Sequence, residues 1–325
     1  MGNLRHIYRI LRRYYKEYIA SKPYNIKFYN YQLNNQSVED HWLFQFIHKR
    51  GLLKDKSNKT ISIFSVNGDK IAIRFNRSDF KIFHTIENVH VPFSKWQKYE
   101  DLLLEEKSIN LSMGFDFIKH DKYLRFPYWI MTTFYPEDDY SSIKQKCKKL
   151  NNHLIHLNSR NKFCSLICRK DYFGDRERIY NQISTIGRVD CDGEFLHNND
   201  ILKTEFNDNK LEFLKSYKFN LCPENTNYKG YVTEKLFDAI YSGCIPIYWG
   251  SENNPEPDIL NQSAILFFNN KGDNSSLLTE LNKLNNNPSL YKKFSEQNRL
   301  KDNAPEIIYN YYIRLENKLK EILHK

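Results

Sequence analysis

The chain has 325 residues and carries 49 Lys and Arg against 39 Asp and Glu, a formal net charge of +10. This length accommodates two domains of ordinary size, and an apolar content of 40% supplies cores for both. The charge favours an anionic partner (nucleic acid, an acidic membrane or a phosphorylated small molecule) without choosing among them, and no run of about 18 apolar residues offers a transmembrane helix.

From the N-terminus, residues 1–19 place Leu4, Ile7, Tyr8, Leu11, Tyr15 and Tyr18 at helical spacing, with Arg5, Arg9, Arg12, Arg13 and Lys16 on the other faces. Such a basic amphipathic helix could lie on an acidic bilayer or pack its apolar stripe on the first domain. The stretch has no uninterrupted apolar segment and no small-residue cleavage site, so no signal peptide is expected. The expected location is cytoplasmic, with peripheral membrane contact as an option. The cysteines Cys147, Cys164, Cys168, Cys191, Cys222 and Cys244 are scattered without a C-x-x-C pair and are expected to be reduced thiols. Cys164 and Cys168 with His153 and His156 have poor spacing for zinc, so no metal site is expected.

The first half reads as a strand at 25–31, a helix at 38–49, strands at 60–66, 70–75 and 81–84, and a further strand at 110–115. The polar, charged segment 136–150 marks the connection between domains. The second half reads as strand 162–168, helix 176–185, strand 187–191, helix 210–216 and strand 217–222. The Asn-rich tract 283–288 reads as loop or composition bias. At the C-terminus, 305–325 forms an amphipathic helix with Ile308, Tyr311, Tyr312, Leu315, Leu319 and Ile322 on one side, a core-packing pattern. Repeated βα units in both halves predict an α/β chain of two Rossmann-like, doubly wound domains facing a cleft. The expected limits are 1–24 for the basic helix, 25–150 for the first domain and 151–325 for the second with its terminal helix.

The most informative stretch is 222–250, CPENTNYKGYVTEKLFDAIYSGCIPIYWG. It reads as loop, helix start, helix, glycine stop and buried strand, with Thr233 as N-cap, Lys235 just inside the helix and Gly243 after its last residue. A helix N-terminus presents free N–H groups and partial positive charge, which suits phosphate. At this point of a parallel sheet the usual ligand is a nucleotide.

This stretch, with Phe219-Asn220 before it, resembles the signature of the α1,3/1,4-fucosyltransferases (glycosyltransferase family 10), which runs aromatic-N-x-x-x-E-N, G-Y-V-T-E-K and then Ile-Pro-aromatic-Gly. Upstream, KFCSLICRKDYFGDRERIYNQI resembles the family's strand–loop–helix with an Arg four residues before a Tyr, here Arg176 and Tyr180. HTIENVHVP at 84–92 resembles the T-G-E-N-x-x-x-P loop, and GFDF and YLRFPYW resemble the segments that follow it. Ile86 replaces the loop's Gly, and Arg169-Lys170 replace the family's Ser-Asn. The resemblance implies a two-domain GT-B type fold, GDP-L-fucose as donor, a glycan acceptor and inversion at the anomeric carbon; the expected product is an α1,3-fucoside on O3 of GlcNAc or Glc, with α1,4 linkage left open by the sequence. It makes 25–150 the acceptor side and 151–325 the GDP-fucose side.

Such a transfer needs a stabilised leaving diphosphate and a deprotonated acceptor hydroxyl. Arg176 and Lys235 are the candidates for the first need, each at the start of a helix after a strand; their alternative is a solvated surface cation. Glu234 suits ribose or sugar hydroxyls, or else serves as a favourable N-terminal helix charge. The resemblance implies donor contacts for Tyr231, Asn225 and Glu224, with a turn role as the alternative for Asn225. Glu87 holds the position of the T-G-E-N acid and is the candidate base, against the alternative of an ordinary strand-end glutamate. Asp190-Cys191-Asp192 has a D-x-D pattern, but V-D-x-x-G fits the family's strand end, so no cofactor is required, with stimulation by Mn or Mg left open. The competing readings are a related transferase using another nucleotide sugar and a basic nucleic-acid-binding protein. The 23 Tyr and 22 Phe lie at core spacing rather than as a stacking platform, and no nucleic-acid-binding motif is present.

Overall fold

A computed structural model describes residues 2–20, 25–31, 37–52, 59–152 and 157–323. The chain divides into two compact units, Met1–Asp139 with Tyr309–Lys325, and Tyr140–Ile308. The division falls earlier than the expected 150/151, and the residues from Tyr309 belong to the first unit rather than the second. Chain length alone does not show that the end of the chain returns to the first unit.

In the first unit, α1 (Gly2–Ala20) precedes β1 (Ile26–Tyr29), α2 (Trp42–Lys49), β2 (Ile61–Phe64), α3 (Ile71–Phe75) and β3 (Phe80–His84). Then follow β4 (Leu111–Gly114), β5 (Tyr123–Arg125) and α4 (Tyr128–Thr133). The strands form one parallel sheet in the order β1-β2-β3-β4-β5. Two local expectations fail. The helix expected over 38–49 is broken, because His41 accepts the Leu43 N–H at 3.3 Å and starts α2 afresh after a short 3-10 turn. Residues 70–75 are helix, not strand: Asp69 accepts the Ile71 N–H at 2.9 Å, and Ala72 and Ile73 turn into the core. The apolar alternation Ile71-Ala72-Ile73 is too short to distinguish strand from one helical turn.

Helix α1 also differs from expectation in the face it packs. Ile10, Tyr14, Glu17 and Tyr18 are its partly buried residues. Tyr14 stacks on Tyr29 at 4.8 Å, Lys27 sits 4.2 Å over the Tyr18 ring, and Glu17 accepts the Asn30 N–H at 3.1 Å. The stripe Ile7, Tyr8, Leu11 and Tyr15 stays exposed. At the other end of the chain, Tyr311, Tyr312, Leu315, Leu319 and Ile322 are all buried, as their spacing implies. Tyr312 packs edge-on against Trp42 and Phe46 and donates to the Tyr135 carbonyl at 2.8 Å, while Glu316 pairs with Arg50 at 3.0 Å.

The second unit opens with α5 (Tyr140–Leu150), so part of the expected connection is a helix that buries Ile143, Cys147 and Leu150. It continues through β6 (Lys162–Leu166), α6 (Asp175–Ile183), β7 (Val189–Cys191), α7 (Ile201–Thr204), α8 (Lys210–Leu214) and β8 (Tyr217–Pro223). Then follow α9 (Glu234–Ser242), β9 (Ile245–Trp249), β10 (Leu266–Phe267), α10 (Ser275–Asn286) and α11 (Pro288–Ser295), and α12 (Ala304–Leu323) begins here and belongs to the first unit from Tyr309. The tract 283–288 is therefore mostly helix: α10 runs to Asn286, and Asn287 caps α11 by accepting the N–H groups of Ser289 and Leu290. The sheet is parallel in the order β10-β9-β8-β6-β7. After β7 the chain crosses to the other side of β6, so the order reverses between β6 and β8. In an open parallel sheet, the carboxyl ends at such a reversal are where ligands bind.

Candidate active site

The reversal fixes which loops meet. β6 leads into α6, and β8 leads through 224–233 into α9. Asp171 holds the start of α6 by accepting the N–H groups of Gly174 and Glu177, at 3.1 and 2.9 Å. This sets Arg176 in the first turn, only 6% exposed. Its guanidinium donates to the Lys170 carbonyl and, at 2.6 Å, to Asn225 Oδ1. Asn225 in turn donates to the Tyr231 hydroxyl at 3.4 Å. Arg176 thus bridges the β6 and β8 loops through neutral partners, and among the described residues it makes no ion pair. A buried cation without a counter-charge is costly unless an anion completes the site.

The second cluster is built on Glu224, which is 1% exposed at the end of β8. Its carboxylate accepts the Thr233 N–H at 2.8 Å and the Thr233 hydroxyl at 2.7 Å. Lys235 Nζ lies 3.3 Å from the same carboxylate, 2.9 Å from the Thr233 hydroxyl and 3.7 Å from Glu234. Burial works against the Lys235 charge, but Glu224 and Glu234 outweigh it and raise the pKa, while Arg176 acts in the opposite sense. Burial also disfavours the Glu234 charge, yet Lys235 and Lys210 prevail and lower its pKa. Thr233 is the N-cap residue by position, but its side chain accepts no backbone N–H of the helix; its hydroxyl donates to Glu224 and accepts from the Lys235 ammonium instead. The first N–H groups of α9 are therefore not covered by that cap. Gly250 completes the packing: at its φ of +143° a Cβ would lie 2.6 Å from Glu224 Cγ.

The structure thus brings together Arg176, Asn225 and Tyr231 in one hydrogen-bonded chain, and Glu224, Glu234 and Lys235 in one charged cluster. Both stand on the second unit. Glu224, a donor contact by resemblance, has its carboxylate engaged by Thr233 and Lys235. Asp171 is a further residue of the site, and its spacing before an Arg-bearing helix is the sequence signal for it. Of the replaced Ser-Asn pair, Arg169 and Lys170 are both exposed, with the Lys170 carbonyl engaged by Arg176.

Glu87 stands on the first unit, in the loop after β3. Its N–H donates to Thr85 Oγ1 at 3.0 Å and its carbonyl accepts from the same hydroxyl at 2.8 Å. Asn88 is buried and accepts the His90 N–H at 3.0 Å. His90 lies between two carboxylates, Glu100 at 2.7 Å and Asp116 at 2.8 Å. Burial works against its charge, but the two acids prevail and raise its pKa. The loop with Ile86 is thus held by side chains on both flanks of Glu87.

The D-x-D pair is tied into the second unit. Asp190 accepts from Arg188 at 2.6 Å and from the Tyr217 hydroxyl at 2.8 Å, and Asp192 accepts the Leu202 N–H at 2.8 Å. Gly193 packs so closely on Cys168 that a Cβ would lie 2.1 Å from its carbonyl oxygen. All six cysteines are buried and unpaired. His153 and His156 lie outside the described residues. Among the described residues, no group of three or more His, Cys, Asp or Glu is placed to hold a metal ion.

Two parallel α/β sheets, one with its ligand-type reversal, define a GT-B type glycosyltransferase fold. A solved α1,3-fucosyltransferase shares it, with a TM-score of 0.63 at 22% identity over 92% of this chain and 90% of that one. Residues 156–305 match the model of the glycosyltransferase family 10 (fucosyltransferase) C-terminal domain. The chain is 70% identical over 43 residues to the α-(1,3)-fucosyltransferase FucT of Helicobacter pylori, 13% of this chain and 9% of that protein. To GDP-fucose protein O-fucosyltransferase 3 of Xenopus tropicalis it is 32% identical over 128 residues, 38% of this chain and 27% of that protein. The chain spans about a third or less of the length of the curated relatives it matches first, 35%, 9% and 30%.

Proposed function

We propose that the protein transfers L-fucose from GDP-β-L-fucose to a hydroxyl of a glycan, O3 of GlcNAc or Glc, with inversion to an α1,3-fucoside. The observation that carries this reading is Arg176, a buried guanidinium with neutral partners beside the sheet reversal. The names of similar proteins support the donor class, and those of two α-(1,3)-fucosyltransferases support the linkage proposed. In the reaction, the acceptor oxygen attacks C1 of fucose from the face opposite the diphosphate and the bond from C1 to the phosphate oxygen breaks. The acceptor proton passes to Glu87, and GDP departs with the bonding pair. Charge growing on the leaving diphosphate is met by Arg176, Lys235 and the free N–H groups of α9. Asn225 and Tyr231 orient Arg176, Glu224 positions Lys235, and Glu234 accepts donor hydroxyls. These cations supply the compensating charge themselves, so turnover persists in EDTA, and Mn or Mg adds at most a stimulation.

An array of nucleotide sugars and oligosaccharide acceptors, read by mass spectrometry, tests the proposal. The expected product is a deoxyhexose added from GDP-fucose to an N-acetyllactosamine-type acceptor, with the linkage fixed by NMR. Transfer from another nucleotide sugar in preference to GDP-fucose would overturn the donor assignment. Fucose on a protein hydroxyl instead would overturn the glycan acceptor.

A further inference from the structure

Helix α1 carries three kinds of face. Ile10, Tyr14, Glu17 and Tyr18 meet the first unit. Ile7, Leu11 and Tyr15, at i, i+4 spacing, remain 47%, 50% and 64% exposed, and Tyr8 and Ile19 extend this surface at 65% and 43%. Arg5, Arg9, Arg12 and Lys16 form a third, basic face, all exposed, and among the described residues they make no ion pair. The helix has one acid, Glu17, and that acid is occupied by Arg13 and the Asn30 N–H. Of the 15 exposed large hydrophobic side chains among the described residues, five lie on this one helix of 19 residues. Scattered exposed apolar residues need no explanation, but a contiguous stripe does.

We propose that α1 is a membrane-surface anchor that lies flat on an anionic phospholipid leaflet. Ile7, Leu11, Tyr15 and their neighbours enter the boundary between headgroups and acyl chains, while Arg5, Arg9, Arg12 and Lys16 engage lipid phosphates. An uncovered apolar stripe beside an unpaired basic face is the complement of such a surface. A second copy of the same helix would instead bring cation against cation. Among the described residues no helix, α1 included, is long and apolar enough to cross a membrane. The inference does not depend on the transferase reading, which assigns no role to these residues.

The full chain is mixed with vesicles of phosphatidylcholine alone, and of phosphatidylcholine with phosphatidylglycerol, and floated through sucrose. Wild type is expected to float with the anionic vesicles, to be released by high salt, and to stay down with phosphatidylcholine alone. Ile7→Asp with Leu11→Asp should cut binding at least about tenfold. Replacing Arg9 and Arg12 by Gln should cut it about 25-fold, since each basic residue near an anionic leaflet is worth about fivefold. These side chains are exposed, so GDP binding and thermal unfolding of both variants should match wild type. A Leu11→Trp variant should shift its fluorescence to the blue on anionic vesicles and be quenched by brominated lipid. Failure of wild type to float, or undiminished flotation of the aspartate variant, overturns the proposal. A dimer in sedimentation velocity that the aspartates dissociate, without flotation of wild type, overturns it in favour of self-association.

Discussion

The two units hold their candidate site residues in different ways. In the second unit the sheet order reverses between β6 and β8, and the two loops that diverge there are joined by Arg176 and Asn225. In the first unit the strands run β1-β2-β3-β4-β5 without a reversal. No crevice of the Rossmann type is built into that order. Glu87 depends on a loop whose shape is set by side chains: Thr85 behind it, Asn88 beside it, and His90 between Glu100 and Asp116. An anion site can therefore follow from topology plus one contiguous motif, whereas the base rests on contacts dispersed along the chain.

Four substitutions sharpen this contrast. The largest effect is expected for Glu87→Gln: kcat falls by about 10²–10⁴, the range for loss of a general base, while GDP affinity is unchanged in a titration. Lys235→Ala should lower kcat/KM for the donor by about 10²–10³, as for removal of one group that stabilises leaving charge. Glu224→Gln separates charge from packing at the same cluster. It keeps one of the two acceptor oxygens for Thr233 but loses the negative charge opposite Lys235, so donor affinity should fall while the melting temperature changes less than in Glu224→Ala. Gly250→Ala should destabilise the protein by roughly 1–3 kcal/mol in urea unfolding, because the added methyl meets Glu224 at a φ that L-residues avoid.

The smallest effect is on pH dependence. His90 has a raised pKa in the folded chain, so its ion pairs contribute fully below the unfolded value of about 6.5 and fade as pH rises through the folded value. Unfolding followed across that window should show stability falling as pH rises in wild type and a flatter profile in His90→Gln. An unchanged slope in the variant would remove His90 as the clamp of the Glu87 loop.

Legibility in the sequence follows the same division. The signature from Phe219 to Gly250 contains strand, loop, helix and strand in one run, so its elements and its cations could be read locally. The partner of Arg176 could not, because Asn225 is distant in sequence and the two meet only through strand order. Residues 70–75 carry too few positions to separate period 2 from one helical turn, and the turn in which Asp69 accepts the Ile71 N–H precedes a helix. For α1 the periodicity was plain, but it could not show that Tyr14 and Tyr18 would dock beside the apolar stripe rather than within it. The terminal helix shows the converse: its buried face was legible in full, while the unit that its end joins was not.

The central claim is that the second unit holds the donor diphosphate through Arg176. Calorimetric titration of GDP into wild type, Arg176→Gln and Glu87→Gln tests it most directly. Wild type and Glu87→Gln should bind with equal affinity, and Arg176→Gln should bind at least about tenfold more weakly, the loss expected for one charged hydrogen-bonding partner. Equal affinity for GDP in Arg176→Gln and wild type would contradict the account.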